Sequence, residues 1–139
     1  TCYDYGSVAE NTQAVINTIK NPVIDIISHP DDGNCPLDYN EVVQAAKEYH
    51  VLLEINNNSL RSKSRKDTFE NSVKILELCR QHNLPVLISS DAHYMTDIAN
   101  FDNVEKVLET VNFPEELVIN NSAEKFREFI KRNREREKI

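Results

Sequence analysis

Short apolar runs alternate along this chain with longer segments whose apolar residues recur at helical spacing. Three of the runs predict strands, at 23–28, 51–55 and 85–90. They are short and nearly continuous in apolarity, which is typical of strands buried on both faces of a parallel sheet. The helical periodicity predicts four helices between and after them, over 7–20, 38–50, 67–82 and 100–111.

Polar residues at the predicted helix starts support these boundaries. Ser7 opens the first helix and Asp38 the second, and each is followed three residues later by a glutamate, as in a capping box. Further along, residues 117–119 predict a short strand and residues 122–130 a last helix. The remaining residues, 131–139, are mostly charged and predict a solvated tail.

The alternation of strands and helices predicts an α/β fold with a parallel sheet and right-handed crossovers. In such sheets the carboxyl ends of the strands meet at one edge, where functional residues gather. All three predicted strands end in polar residues suited to chemistry: His29, then Glu54 and Asn56, then Asp91 and His93. This agreement is the strongest functional signal in the residues themselves.

Asp91 and His93 lie two residues apart after a buried strand, where period-two alternation would point both side chains the same way. Such a pair can bind a metal ion, position a catalytic base or form a structural contact. With His29 expected at the same edge, metal ligation explains the three residues best. Imidazole nitrogens and carboxylate oxygens suit Zn, Mn or Fe. His50 precedes a strand, so we expect it at the opposite edge in a structural role.

For other polar residues near the strand ends, the sequence leaves more than one role possible. Glu54 either faces the site or pairs with a lysine, and Asn56 is a candidate contact for substrate. The loop after the second strand is basic in an otherwise acidic chain. Arg61 and Arg65 in this loop are candidates to bind a phosphate, and the alternative is a solvated loop.

Composition and net charge exclude some classes of function. The chain has 139 residues, 40% of them hydrophobic, and a formal net charge of -7. These values predict one globular domain, no membrane association and little non-specific binding to nucleic acid. The three cysteines, Cys2, Cys35 and Cys79, match no metal-ligand or disulfide spacing, which predicts a reducing compartment, the cytoplasm.

Several ordered motifs resemble the PHP (polymerase and histidinol phosphatase) family, particularly its small stand-alone phosphatases. The motifs are Ile26-Ile27-Ser28-His29-Pro30, Leu53-Glu54-Ile55-Asn56-Asn57 and Ser89-Ser90-Asp91-Ala92-His93, with weaker similarity at 11–14, 112–114 and 118–120. The resemblance implies a distorted, seven-stranded TIM-like (β/α) barrel and metal-dependent phosphoester hydrolysis. It implies two or three divalent ions (zinc, manganese or iron) in the intact enzyme, with a metal-bound hydroxide rather than a side chain as nucleophile. His29, Asp91 and His93 would be ligands, with Asp91 and His93 on different ions.

The chain also departs from that family, because the H-x-H motif, further histidines and a bridging glutamate are missing. A complete barrel needs roughly 250 residues. Residues 1–130 are therefore expected to form the C-terminal half of a barrel, with few or no metal ions and little activity alone. The expected partners are a small phosphorylated substrate and the missing half, or a second copy covering the open sheet edge. The alternatives are a PHP-type nuclease or phosphodiesterase and a non-catalytic, barrel-derived binding domain.

Overall fold

The computed structural model describes residue 4 and residues 6–136, and within this part five α-helices alternate with or follow three β-strands. In chain order the elements are α1 (Val8–Ile19), β1 (Ile26–Ile27), α2 (Tyr39–Glu48), β2 (Leu52–Asn56), α3 (Thr68–Gln81), β3 (Val86–Ser89), α4 (Asp102–Thr110) and α5 (Ala123–Arg136). The two predicted capping residues are confirmed. Ser7 accepts a hydrogen bond from the Glu10 amide, and Asp38 accepts from two amides of the first turn of α2.

The three strands form one parallel sheet in the order β1-β2-β3, as the alternation predicted. Ile26 pairs with Leu52, and Leu53 pairs with Val86, so the carboxyl ends of all three strands lie at the same edge. We call residues 28–31, 54–59 and 89–93, which gather there, the carboxyl edge. The parallel sheet with alternating helices is consistent with a TIM-like barrel family.

The core forms where helices cover the sheet. β2 is central, and all five of its residues are buried, because neighbouring strands flank it and helices pack against it. The largest fully buried side chains are aliphatic residues from these layers, including Val42, Val43, Leu53, Ile55, Ile75, Leu76, Val86, Val104 and Val107. This packing fixes β2 and the residues that follow it.

Two predicted strands differ in the structure. β1 is limited to Ile26–Ile27, because Val23 and Ile24 belong to a turn in which both amides bond to Asn21. The segment 117–119 lies in two successive 3₁₀ turns, and Val118 makes a single parallel bridge to Val86. The Asn120 amide then pairs with the Ile88 amide and carbonyl, so a side chain occupies the place of a fourth strand.

The last helix is longer than predicted, and it contacts the end of the sheet opposite the carboxyl edge. Asn133 is buried and donates to the Asp25 carboxylate at 3.1 Å and to the His50 carbonyl at 2.9 Å. Arg134 pairs with Asp25 at 2.6 Å. We call these four residues the amino edge. The solvated tail was expected to begin at residue 131, and these contacts extend the helix instead; residues 137–139 lie outside the described part.

None of the described helices is long and apolar enough to cross a bilayer. Cys79 is free and buried, whereas Cys35 is disulfide-bonded. The expectation that the cysteine spacing excludes a disulfide is therefore wrong at Cys35, and Cys2 lies outside the described residues. Because a reducing compartment no longer follows from the cysteines, the cytoplasmic location stays a prediction.

Candidate functional site

Glu54 lies at the centre of the carboxyl edge. Its carboxylate accepts hydrogen bonds from the hydroxyls of Ser28 and Ser89, each at 2.7 Å, and from the His29 amide at 2.7 Å. The Asn56 amide nitrogen is a fourth donor at 3.2 Å. Of the two roles predicted for Glu54, the structure supports the one at the site, because the partners found among the described residues include no lysine. One buried carboxylate thus ties together the ends of three strands.

His29 lies two residues after β1 and adopts a left-handed backbone conformation with φ of 37°. Non-glycine residues adopt this conformation rarely, and such strain concentrates at functional sites. The ring nitrogen Nδ1 is buried and has no hydrogen-bond partner in the described part of the chain. Burial lowers the pKa of His29, and the nearby Arg65 guanidinium lowers it further. The imidazole is therefore held largely neutral, the state in which it can bind a metal ion.

Asp91 and His93 follow β3 but do not share its geometry. β3 ends at Ser89, and Asp91 has φ of 48°, so period-two alternation does not extend to these residues. Asp91 accepts from the Asn56 amide at 3.1 Å, whereas His93 is exposed. The His93 Nδ1 atom lies 2.9 Å from the Asp91 carbonyl and 3.5 Å from the Asn58 amide.

The described residues contain no group of three or more His, Cys, Asp or Glu side chains that could hold a metal ion. The chemical types of these side chains nevertheless suit a metal ion. The buried Nδ1 of His29 lacks a partner among the described residues, and Asp91 supplies a carboxylate. The described residues thus offer suitable ligands but not a complete set. Metal ligation by His29, Asp91 and His93 stays a prediction.

The three predicted substrate contacts lie near this edge in different environments. Asn56 is 1% exposed, and its side chain bonds to Glu54, Asp91 and the Ser59 amide. Arg61 pairs with Asp97 at 2.5 Å and donates to Asn58. Protein groups therefore already occupy the polar atoms of Asn56 and most donors of Arg61.

Arg65 has more donor capacity available. Its Nη2 atom lies 3.8 Å from the Asp91 carboxylate, and its Nη1 atom is buried without a hydrogen-bond partner among the described residues. The loop that carries Arg65 is fixed to the turn after β1, because the Gly33 amide donates to the Lys66 carbonyl and Asn34 donates to the Ser64 carbonyl. This docking aims Arg65 at the carboxyl edge.

Asp31 and Ser59 are members of the site that the sequence did not reveal. Both are fully buried, and burial raises the pKa of Asp31 to about 6 although Ser59 and Arg65 favour its charged form. The Ser59 hydroxyl lies near the carboxylate without completing a hydrogen bond of ordinary geometry. Asp31 sits in a sequence cluster typical of turns, and its burial depends on α3, where Asn71 binds its carbonyl.

All the buried side-chain polar atoms without a hydrogen-bond partner, among the described residues, belong to one neighbourhood. They are His29 Nδ1, Asp31 Oδ1, Ser59 Oγ and Arg65 Nη1, which we call the unpaired cluster. Arg65 is close enough to influence the charge of both His29 and Asp31. Buried polar atoms are normally paired, so a concentration of exceptions marks a place where a ligand can complete the hydrogen bonding.

Comparison with known proteins places the chain among relatives of similar sequence. A probable phosphatase of Clostridium novyi is 38% identical over 130 residues, which cover 94% of this chain and 53% of the relative. A probable phosphatase of Acetivibrio thermocellus is 42% identical over 135 residues, 97% of this chain and 55% of the relative. One from Caldicellulosiruptor saccharolyticus is 42% identical over 132 residues, with coverage of 94% and 54%. The chain spans about half the length of these relatives.

The family comparison corrects the resemblance drawn from the motifs. The model that matches is that of RNase P subunit p30, and the match covers residues 8–138. The assignment to the PHP family was therefore wrong, since the strand-end motifs on which it depended do not by themselves distinguish families with related sheets. Because the match extends over nearly all of the sequence, the chain belongs to the RNase P subunit p30 family.

Proposed function

We propose that this chain carries part of the active site of a hydrolase that cleaves phosphoesters of small substrates. The observation that carries the proposal is the unpaired cluster, in which Arg65 presents a buried donor near the carboxylate of Asp91 and His29 presents a buried ring nitrogen. The relatives named probable phosphatases support the reaction class. We propose the cytoplasm as its location.

Arg65 is proposed to bind the transferred phosphoryl group. A guanidinium presents its donors in a planar fork that matches phosphate oxygens, and one buried donor of Arg65 has no partner among the described residues. Arg61 is proposed to act less directly, because Asp97 already holds its guanidinium. Asn56 is better placed to hold Asp91 than to reach a substrate.

We further propose that His29, Asp91 and His93 contribute ligands to divalent ions, of zinc, manganese or iron. When bound, such ions supply Lewis-acid assistance and neutralise phosphate charge. His29 would hold its ion through the neutral imidazole that burial favours. Since the described residues form no complete ligand set, the remaining ligands would come from residues beyond them.

The proposed source of those ligands is the rest of a longer protein, which we call the complete protein. It would have the length of the relatives and close a TIM-like barrel against β1, with this chain as its C-terminal half. Within the described part of the chain β1 pairs only with β2, and an apolar cavity of about 200 Å³ opens beside it, lined in part by Val15, Ile24, Ile27 and His29. A second copy of the chain is the alternative occupant. The chain alone should hydrolyse little.

The family match favours a second candidate, a role as a protein subunit in RNase P. The acidic balance opposes extended contacts with RNA, because phosphate backbones are bound through lysine and arginine. A nuclease or a non-catalytic binding domain would both fit this candidate. Stoichiometric binding of RNA without hydrolysis of phosphomonoesters would favour it over the phosphatase.

The test is hydrolysis of p-nitrophenyl phosphate by the complete protein supplied with Mn²⁺. We expect Arg65→Ala to lower kcat/KM by about 100-fold, as expected for the loss of a donor to developing charge. Arg61→Ala should have a smaller effect, and Arg127→Ala on the exposed side of α5 should have none. Equal activity of the Arg65 and Arg127 variants would exclude Arg65 from the site. Absence of hydrolysis in the unmodified protein would contradict the proposed function itself.

A further inference from the structure

Glu54 differs from the other residues of the carboxyl edge in how completely the protein uses it. Its Oε2 atom accepts from Ser28, His29 and Asn56, and its Oε1 atom accepts from Ser89. The residue is 7% exposed. A carboxylate with four donors in place has little remaining capacity to contact a substrate, so its role must lie in what those donors do.

Two of the donors lead directly to the residues proposed as metal ligands. The 2.7 Å bond from the His29 amide holds that residue where its backbone is left-handed. The Asn56 amide nitrogen contacts Glu54 and also the Asp91 carboxylate, at 3.2 Å and 3.1 Å. Asp91 is likewise left-handed, with φ of 48°. Strained conformations persist when the surroundings fix them, and one oxygen of Glu54, Oε2, accepts from both the His29 amide and the Asn56 side chain that contacts Asp91.

We infer that Glu54 is a positioning residue, which sets the placement of His29 through its amide and of Asp91 through Asn56. It acts as a hydrogen-bond acceptor of the correct length, and its negative charge is not what the site requires. The inference rests on the proposed function only where activity is measured, since the bonds to His29 and Asn56 are features of the fold.

Two substitutions of Glu54 separate the effect of side-chain length from the effect of negative charge. Glu54→Gln keeps the length of the side chain, and its amide can retain all four bonds, because the Ser89 hydroxyl can accept from the new NH₂ group as readily as it donates. Glu54→Asp keeps the charge but is one methylene shorter, so it cannot reach Ser28, His29 and Ser89 together. A positioning role predicts that the glutamine variant is the milder of the two. A direct role through charge predicts the reverse order.

The experiment measures hydrogen exchange of the His29 amide and hydrolysis of p-nitrophenyl phosphate in the complete protein. We expect exchange in Glu54→Gln to stay close to that of the unmodified protein. In Glu54→Asp it should be faster by roughly tenfold or more, because the shorter side chain no longer reaches the amide and the hydrogen bond is lost. The value of kcat should fall in the aspartate variant and be largely retained in the glutamine variant. Cys79→Ala, a change in the core far from this edge, should lower stability without altering His29 exchange.

Each alternative result has a definite meaning. A glutamine variant as defective as the aspartate variant, or an aspartate variant that behaves like the unmodified protein, overturns the positioning role. An inactive unmodified protein contradicts the phosphatase proposal alone. The His29 exchange rates of the two variants still show whether the length of the side chain at position 54 or its negative charge matters more.

Discussion

Asp25 and Asp31 lie near opposite ends of β1, and the protein surrounds them in opposite ways. At the amino edge, Asp25 accepts hydrogen bonds from Asn133 and Arg134. At the carboxyl edge, Asp31 is fully buried, yet its Oδ1 atom has no partner in the described part of the chain. The first arrangement stabilises the fold, whereas the second costs free energy that a proton, a bound water or a ligand can recover.

A polar residue at a sheet edge is therefore a weak indicator of function until its partners are known. His50 follows a helix with φ of 55°, and His29 follows a strand with φ of 37°. The ring of His50 packs against Phe129, and its carbonyl is bonded to Asn133. The ring of His29 leaves Nδ1 buried, with no hydrogen-bond partner in the part of the chain that the structure describes. Unsatisfied hydrogen-bonding capacity, more than residue type or backbone strain, distinguishes the candidate site.

The largest expected effect concerns the free energy of unfolding that is lost by burying the charged Asp31 carboxylate. Its pKa is raised from 3.8 to about 6, so the folded state binds the proton more tightly between these values. The free energy of unfolding should therefore fall as pH rises through this window, by up to about 3 kcal/mol from this group. Asp31→Asn stays neutral and should lack this fall. Urea unfolding at pH 4 and pH 7, with a chelator present, measures the difference, and parallel pH profiles for the two proteins would contradict it.

A smaller effect is expected at the amino edge. Asn133→Ala removes two hydrogen bonds and leaves the Asp25 and His50 acceptors less satisfied, which should lower the free energy of unfolding by about 2 kcal/mol. Activity of the complete protein should not change. The exposed Asn17→Ala variant on α1 is the control, with an expected change within about 0.5 kcal/mol. A loss of activity at unchanged stability would reverse the assignment of the two edges.

The smallest change in stability is expected at Gly33, where the effect should appear mainly in function. A Cβ atom there would lie 2.7 Å from the Lys66 carbonyl oxygen, so Gly33→Ala should push away the loop that carries Arg65. We expect a cost of about 1 kcal/mol in stability. The kcat/KM of the complete protein should fall by roughly tenfold, because Arg65 is displaced. Thermal unfolding and p-nitrophenyl phosphate hydrolysis measure the two effects, and an unchanged kcat/KM would show that loop docking does not place Arg65.

The sequence predicted those parts of the fold that depend on local patterns. Ser7 and Asp38 cap helices as expected, and the β2 run, buried on both faces, lies at the centre of the sheet. It could not predict that the Asn120 side chain would pair with β3, or that Asn133 would extend α5. Both depend on contacts between residues far apart in the chain, and hydrophobic periodicity carries no information about them.

The candidate site likewise contains residues that the sequence predicted and residues that it did not. Parallel topology predicted that His29, Glu54 and Asp91 would meet at one edge, because strand direction alone determines it. Asp31 was not predicted, since its burial and raised pKa arise from the packing of α3 and the Ser59 turn against it. The PHP assignment failed for a related reason: short motifs at strand ends describe a sheet edge, and several families can share such an edge.

The contact between Asn133 and Asp25 also has a consequence for biosynthesis. The two residues are 108 positions apart, so a growing polypeptide makes Asp25 long before its partner emerges from the ribosome. Until then, β1 lacks the hydrogen bonds that secure the start of the strand, and closing so long a loop is entropically unfavourable. The central strands can pair first, and the side-chain contacts of the amino edge are completed only when α5 docks.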